Sequence, residues 1–315
     1  MSFIVDAHLH VWDPEHLHYD WLRDVPPLNR RMVFEELAAA RATERAGADA
    51  AAAPAPASAA TPAPAVDGYV FVQAACRDDE AMAEVDWVTS LAADAPILGI
   101  VAHAQLEDGD GVASQLDALR ERELVVGVRR LLQSEPVGFG ASASFIVGAR
   151  ALADRGLSFD ATVVPSQLAD VVTLADAAPE LRIVLDHLGK PVIHHGATGA
   201  ADAALAAWRT QLTELAARPN TWCKLSGVPA LWPDAGWTPA DLTPWLDTAL
   251  EVFGADRCLW GSDWPASSLQ TGYDRWLAFI ADWTATLSPT ERDAILGGSA
   301  ARVYRLSAAE PASAP

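Results

Sequence analysis

Two short fragments at opposite ends of the chain carry side chains that could do chemistry together. His8 and His10 follow an apolar run at 3–5. Because successive strand residues point to opposite faces, two imidazoles spaced two residues apart point to the same side. Asp263 follows another apolar run at 258–260. Imidazoles and carboxylates bind metal ions or move protons, and the three groups converge if both runs are strands of one closed barrel.

Strands and helices alternate along the chain. Short β-branched or aromatic runs predict strands at 3–9, 69–74, 97–103, 125–132, 157–163, 183–187, 221–225 and 257–261. Ala- and Leu-rich stretches predict helices at 32–43, 79–93, 111–122, 144–155, 167–177, 200–217, 239–253, 273–286 and 289–296. Such alternation is typical of βα units and a parallel sheet. Eight units in 315 residues favour a single-domain α/β fold, the (β/α)₈ TIM barrel, over an open sheet.

Two segments depart from this rhythm. Residues 46–65 are mostly Ala and Pro, a composition that buries too little apolar surface to offset the entropy of ordering. We therefore predict a flexible insertion between the first two strands. Residues 308–315 have a similar composition and are predicted to be a disordered tail, so that the barrel domain spans 1–307.

Composition restricts the partners. The formal net charge is −20 and the chain has only two lysines, Lys190 and Lys224, which disfavours nucleic acid and anionic membranes as partners. A small molecule is the expected partner. The three cysteines are unpatterned and are interpreted as reduced thiols. No signal peptide or apolar stretch of about 20 residues is recognisable, and we predict a cytoplasmic protein.

The ends of the predicted strands supply the candidate site, because TIM-barrel enzymes hold their catalytic groups at the carboxyl ends of strands. The predicted catalytic groups, which are also the candidate metal ligands, are His8, His10, His187 and Asp263. The predicted substrate contacts are Trp12, Gln73, His103, Arg130, Lys224 and Trp264. A lone histidine such as His103 is more often a structural residue. Alternation implies that only one of Arg129 and Arg130 points into the barrel, and the prediction favours Arg130.

Six fragments carry a family resemblance. They are VDAHLHVWDP at 5–14, VQA at 72–74, GVRR at 127–130, LDHLGKP at 185–191, CKLSG at 223–227 and WGSDWP at 260–265. Together they span almost the whole chain in barrel order, and the set is specific although each piece is weak alone. The chain resembles the amidohydrolase superfamily, within it the amidohydrolase 2 branch. That branch contains sugar lactonases such as L-fuconolactonase and L-rhamnonolactonase, and the pyrone dicarboxylate lactonases.

The resemblance also implies what kind of centre to expect. Two-metal members of the superfamily supply a bridging Lys or Glu from the fourth strand and a histidine from the fifth, and this chain has neither there. His8, His10, His187 and Asp263 are enough for one divalent ion, zinc by preference, with an open water position. Some lactonases of the branch turn over without added metal, so the same four residues could instead bind water and carbonyl directly. Both alternatives stay open, and no organic cofactor is expected.

The activity implied by the resemblance is hydrolysis of a sugar-acid lactone, such as L-fuconolactone, to the open aldonate. Asp263 would act as general base on water, and the histidines, an arginine or a metal would stabilise the oxyanion. Three alternatives remain: a mononuclear-zinc decarboxylase of the superfamily, a pyrone dicarboxylate lactonase, and a barrel that binds a sugar acid without catalysis. A dianionic pyrone should need several inward arginines, and the fourth strand offers two at most.

Overall fold

Eight parallel strands form one sheet in chain order. The structure, a computed structural model, describes residues 2–50, 63–193, 199–232 and 235–307. The strands are β1 Val5–Leu9, β2 Gly68–Val72, β3 Ile97–His103, β4 Val125–Leu131, β5 Ser158–Thr162, β6 Ile183–Leu185, β7 Thr221–Leu225 and β8 Cys258–Trp260. Each predicted strand is present, within about three residues at its ends. The tail at 308–315 and most of the predicted insertion, 51–62, lie outside the described residues.

Helices separate the strands and cover the sheet. They are α1 Phe34–Ala50, α2 Ala81–Leu91, α3 Ala113–Arg120, α4 Ala143–Asp154, α5 Leu168–Ala177, α6 Gly199–Ala216, α7 Pro239–Phe253, α8 Tyr273–Thr284, α9 Pro289–Asp293 and α10 Ser299–Tyr304. The predicted α/β fold, a single-domain TIM barrel, is confirmed. One boundary differs, because α1 continues seven residues past the predicted end at 43 and runs to Ala50, into the segment predicted to be flexible. Alanine-rich sequence has high helix propensity, which accounts for the extension.

The segment after β8 closes the barrel onto β1. The Asp263 amide donates to the His8 carbonyl at 2.8 Å, and the His10 amide donates to the Trp264 carbonyl at 2.8 Å. Leu9 and Trp264 form a parallel bridge between these two segments. The backbone hydrogen bonds that close the barrel therefore also set the positions of His8, His10 and Asp263.

A β-bulge in β1 changes which side chains face the barrel interior. Asp6 pairs with Tyr69 and Leu9 with Phe71, so three steps along β1 match two along β2. Ala7 and His8 both lie in the shifted stretch: Ala7 packs in an apolar cluster that includes residues of α10, and the His8 ring contacts the buried Lys224 and Asp186. Bulges of this kind re-aim side chains beside active sites. The bulge therefore allows two adjacent residues of β1, Ala7 and His8, to contact two different layers of the barrel interior, one apolar and one polar.

The tight contact between α4 and the segment 106–112 yields a stability prediction. A Cβ at Gly148, on α4, would lie 2.1 Å from the Leu106 carbonyl oxygen, whereas a Cβ at Gly47, on α1, would meet nothing within 4 Å. We expect Gly148→Ala to lower the free energy of unfolding by about 3 kcal/mol through overpacking. The control Gly47→Ala should raise it by up to about 1 kcal/mol through helix propensity. Urea unfolding of both variants measures this, and equal effects would contradict it.

Candidate active site

Three histidines and one aspartate meet at the carboxyl ends of the strands. His8 Nε2 lies 3.2 Å from His10 Nε2. Asp263 Oδ1 lies 3.7 Å from His8 Nε2, 3.5 Å from His10 Nε2 and 4.0 Å from His187 Nε2. All four side chains are buried. The structure thus brings together the four residues predicted from sequence to form the reactive centre, although their catalytic roles stay a prediction.

Neighbouring groups fix the orientation of the rings. His10 Nδ1 lies 2.6 Å from the Val72 carbonyl, so the neutral ring donates its N–H there and presents the Nε2 lone pair to Asp263. His187 Nδ1 lies 3.0 Å from the Ser226 hydroxyl. His187 and Asp263 have φ of +51° and +59°, a region unfavourable for residues with a side chain. Backbone strain of this kind concentrates at functional sites.

The protonation states favour one carboxylate among neutral imidazoles. Burial lowers the pKa of His187 to about 4, and burial also lowers the pKa values of His8 and His10. Burial alone would raise the pKa of Asp263, but the surrounding histidines, His187 foremost, hold this pKa below its ordinary value. At neutral pH the centre therefore holds an ionised Asp263 and uncharged histidines, an arrangement suited to taking a proton from water.

A layer of buried ions lies beneath the centre. The Lys224 ammonium pairs with Asp160 and, at 3.1 Å, with Asp186. It also lies 3.2 Å from His8 Nδ1, and the Tyr304 hydroxyl of α10 donates to Asp160 at 2.8 Å. Burial opposes the ionised form of Asp186, but Lys224 holds its pKa well below the ordinary value. Lys224 is thus a counter-ion below His8 and is absent from the cavity lining, and its contact with substrate stays a prediction.

A cavity of about 510 Å³ opens over the centre. Its lining includes the charged or polar residues His10, Arg129, Gln133, Ser134, Thr162, His187, Lys190 and Asp263. The rest is apolar or small: Trp12, Trp21, Ala74, Ala75, Leu131, Gly227, Ala230, Leu231 and Ala266. Pockets for small ligands have this composition, with mostly apolar walls and a few polar groups that orient the ligand.

The arginine at this cavity is Arg129, which corrects the preference for Arg130. Arg129 Nη1 lies 3.3 Å from His8 Nε2, and its Nη2 donates to the Gln73 carbonyl. Arg130 shares the outward side of β4 with the apolar Val128, two residues before it, and donates to Glu107 at 2.8 Å. The strand alternation was sound, but the residue assigned to the inward face was wrong.

Of the other predicted substrate contacts, only Trp12 lines the cavity, with its indole N–H donating to the Leu28 and Arg30 carbonyls at 3.1 Å. Gln73, His103 and Trp264 are absent from the lining and have other partners. The Gln73 side chain accepts from the Ala75 amide at 2.6 Å. His103 Nε2 lies 3.3 Å from Asp78, and Trp264 serves barrel closure. Their contact with substrate stays a prediction, since the structure places them beside the cavity lining and not in it.

Several lining residues were missed from sequence. Lys190 belongs to the LDHLGKP fragment and Gln133 directly follows the predicted strand at 125–132, but neither is among the predicted substrate contacts. Trp21, in a short 3₁₀ helix at Asp20–Asp24, and Ala75, in the loop after β2, carried no signal, because neither belongs to a predicted strand end. Ala75 has φ of +57°, a value that nothing in its residue type predicts.

The donor set fits one divalent metal ion. His8 Nε2, His10 Nε2 and Asp263 Oδ1 are mutually 3.2–3.7 Å apart. Two ligands at about 2.0–2.1 Å from a tetrahedral zinc ion are separated by about 3.3 Å. Three acceptor atoms facing one point also favour a cation, or a proton donor such as water, between them. The same atoms therefore suit either a metal ion or a water molecule.

A buried carboxyl group behind the cavity wall should make stability depend on pH. Glu84, on α2, accepts from the Ala74 amide at 3.1 Å, and burial raises its pKa from 4.5 to about 7. The folded protein then keeps a proton that the unfolded chain releases, so this contribution to stability is complete below pH 4.5 and is lost as pH rises to 7, by about 3 kcal/mol. Glu84→Gln should flatten the dependence of urea midpoints on pH. Parallel curves for both proteins would contradict the assignment.

The eight-stranded barrel places the protein among the TIM barrels, and its imidazoles and carboxylate form a candidate proton-transfer or metal site at the strand ends. The model of the amidohydrolase family, amidohydrolase 2, matches residues 5–306, and the chain belongs to this family. No described helix combines the length and hydropathy needed to span a membrane.

Curated relatives and solved structures cover nearly the whole chain. An L-fucono-1,5-lactonase of Burkholderia ambifaria is 31% identical over 97% of both chains, and one of Burkholderia multivorans is 32% identical over 98% of both. A crystal structure of an amidohydrolase from Burkholderia multivorans with bound zinc matches with a TM-score of 0.76 and 29% identity, covering 97% of this chain and all of that one. A second crystal form of that amidohydrolase, with bound HEPES, matches at 0.79.

Proposed function

We propose that the protein hydrolyses aldonolactones to open-chain aldonates, with L-fucono-1,5-lactone as the first substrate to test. The observation that carries the proposal is the buried Asp263 carboxylate, whose Oδ1 lies 3.5–4.0 Å from three imidazole nitrogens at the floor of the cavity. The lactonase names of the two Burkholderia relatives support the choice of substrate class.

Asp263 is the proposed general base. Its Oδ1 faces His10 Nε2 at 3.5 Å and His8 Nε2 at 3.7 Å, so a water between these atoms can donate to the carboxylate. Proton transfer to Asp263 leaves hydroxide to attack the lactone carbonyl. The tetrahedral intermediate then expels the ring oxygen, and the protonated Asp263 returns its proton to that alkoxide. The base is regenerated, the alcohol is neutral, and the new carboxylic acid releases its proton to solvent to become the carboxylate.

Charge developing on the carbonyl oxygen needs donors, and Arg129 is placed to supply them. Its guanidinium lines the cavity and its Nη1 reaches within 3.3 Å of His8 Nε2. The gain from a fixed, buried cation is large because no reorganisation is needed as charge develops. A lactone is an activated ester, so its hydrolysis needs less stabilisation of this charge than hydrolysis of an amide would.

A divalent ion, when bound, would be held by His8, His10 and Asp263, with His187 beside it, and would polarise the carbonyl as a Lewis acid. The apolar wall of the cavity, with Trp12 and Trp21, can stack against the apolar face of a sugar ring. These two features match a small polyhydroxylated ligand whose reacting carbon faces the carboxylate.

The test is a panel of aldonolactones assayed by proton release, with and without a chelator, together with metal analysis of the purified protein. We expect turnover of at least one lactone. Activity that survives removal of metal would assign the chemistry to the side chains alone, whereas loss that zinc restores would assign zinc a role. Failure to hydrolyse every aldonolactone would contradict the proposed function.

A further inference from the structure

The Lys190 ammonium is a cation in the cavity without a matching carboxylate. It donates to the Gln133 side-chain oxygen, and no carboxylate oxygen of the described residues lies within 4.0 Å of it. The chain has 42 acidic residues against 22 Lys and Arg, so an unpaired lysine is not a result of scarce acids. A partly buried charge without a counter-ion is costly, which points to a ligand as its partner.

The backbone around this lysine adopts unfavourable dihedral angles. His187, Leu188, Gly189 and Lys190 have consecutive φ values of +51°, +57°, +70° and +52°. The Lys190 amide donates to the His187 carbonyl at 2.8 Å, which closes one left-handed turn. His187 and Lys190 both line the cavity. Left-handed turns of residues with side chains persist only where the surroundings enforce them, typically at functional sites.

The hydrogen-bonding groups of Lys190 and Gln133 indicate which kind of ligand the two residues can bind. An ammonium has donors only, so Gln133 must turn its oxygen toward Lys190, which leaves the Gln133 amide hydrogens as donors. Within the described parts of the chain these hydrogens have no protein acceptor at hydrogen-bond distance. Lys190 and Gln133 therefore offer the cavity N–H donors and a positive charge. A carboxylate is the group that such a pair binds best.

We propose that Lys190 and Gln133 form a carboxylate-binding subsite of the cavity. The inference rests on the proposed function, since lactone hydrolysis creates a carboxylate in a cavity where Asp263 is already negative. Arg129 cannot serve alone, because its guanidinium is shared with the Gln73 carbonyl and, at 3.6 Å, with Asp186. The positive charge of Lys190 compensates the negative charge of the product carboxylate, which adds to that of Asp263.

The test compares two ligands that differ in the carboxylate. L-Fuconate and the neutral alditol L-fucitol are titrated calorimetrically into the wild type, Lys190→Met, Gln133→Leu and the control Arg120→Met, which removes a positive charge from the exposed end of α3. We expect L-fuconate to bind at least tenfold more weakly to Lys190→Met, with L-fucitol unaffected and Arg120→Met like the wild type. Gln133→Leu should show a smaller loss in the same direction and serves if Lys190→Met does not fold. An unchanged preference for L-fuconate in both cavity variants would overturn the proposal.

Kinetics separate two sources of the carboxylate. If the subsite holds the product, Lys190→Met raises the inhibition constant of the aldonate. If it also holds an acid group of the substrate, the KM for the acidic D-glucaro-1,4-lactone rises more than the KM for a neutral lactone. Either result supports the subsite. If no lactone is hydrolysed, the proposed function fails while the titrations still decide whether Lys190 binds a carboxylate.

Discussion

Replacement of Asp263 by asparagine should lower kcat for lactone hydrolysis by about 10³-fold, because the amide cannot accept the proton of the attacking water. Asparagine tolerates the left-handed backbone that Asp263 adopts at φ +59°, so the variant should keep the fold. Steady-state rates over a range of pH, with circular dichroism of the folded protein, measure the effect. Ligand binding should persist, which would separate a lost base from a lost cavity.

Asp170→Asn is the matched control. Asp170 is as buried as Asp263, at 8% exposure each, but accepts a hydrogen bond from the Gly138 amide and does not line the cavity. Its replacement should leave kcat within a few fold. If Asp263→Asn kept more than a tenth of wild-type activity, another group would have to be the base, and the mechanism above would be wrong.

Replacement of Gly227 by alanine should lower kcat/KM by about 10²-fold or more, because misplacing catalytic groups by an ångström has effects of that size. A Cβ at Gly227 would lie 2.6 Å from His187 Nδ1 and 2.9 Å from Asp263 Oδ2. Neither ring nor carboxylate can stay where it is. The variant should also be less stable by about 1–2 kcal/mol, since Gly227 has φ of +62°. Kinetics and urea unfolding on one preparation give both quantities.

The variant Gly138→Ala separates the effect of backbone strain from the effect of a steric clash with the active site. Gly138 also has a positive φ, +92°, but a Cβ there would meet nothing within 4 Å. It should therefore lose stability and keep its activity. Equal losses of activity in the two variants would mean that backbone strain, and not the contact with His187 and Asp263, is responsible.

Strand order could be predicted from sequence because it depends on alternation and chain length. It was enough to bring His8, His10, His187 and Asp263 to one end of a barrel, since parallel strands share that end. The alternation of strands and helices does not predict which way a side chain points where a strand is irregular. The bulge in β1 re-aims His8 relative to Ala7, and nothing in the residue types marks it.

The ion-pair partners of side chains inside the barrel also could not be predicted from the sequence. Lys224 appeared free for substrate, yet it pairs with Asp160 on β5 and with Asp186 directly after β6. Lys190, by contrast, faces the cavity because of a left-handed turn that Gly189 alone hints at. Pairing of charges across a barrel depends on register and bulges, which local patterns do not encode.

Barrel closure has a consequence for the order of events in folding. His8 and Asp263 are joined by the backbone hydrogen bonds between the segment after β8 and β1, and these contacts link almost the two ends of the chain. Contacts of such sequence separation carry a large loop-closure entropy, and we expect them to form late. A nascent or partly folded chain therefore has its histidines and its carboxylate apart and is chemically inert. Recovery of activity on refolding should lag behind recovery of helix, and reports specifically on the meeting of the first and last strands.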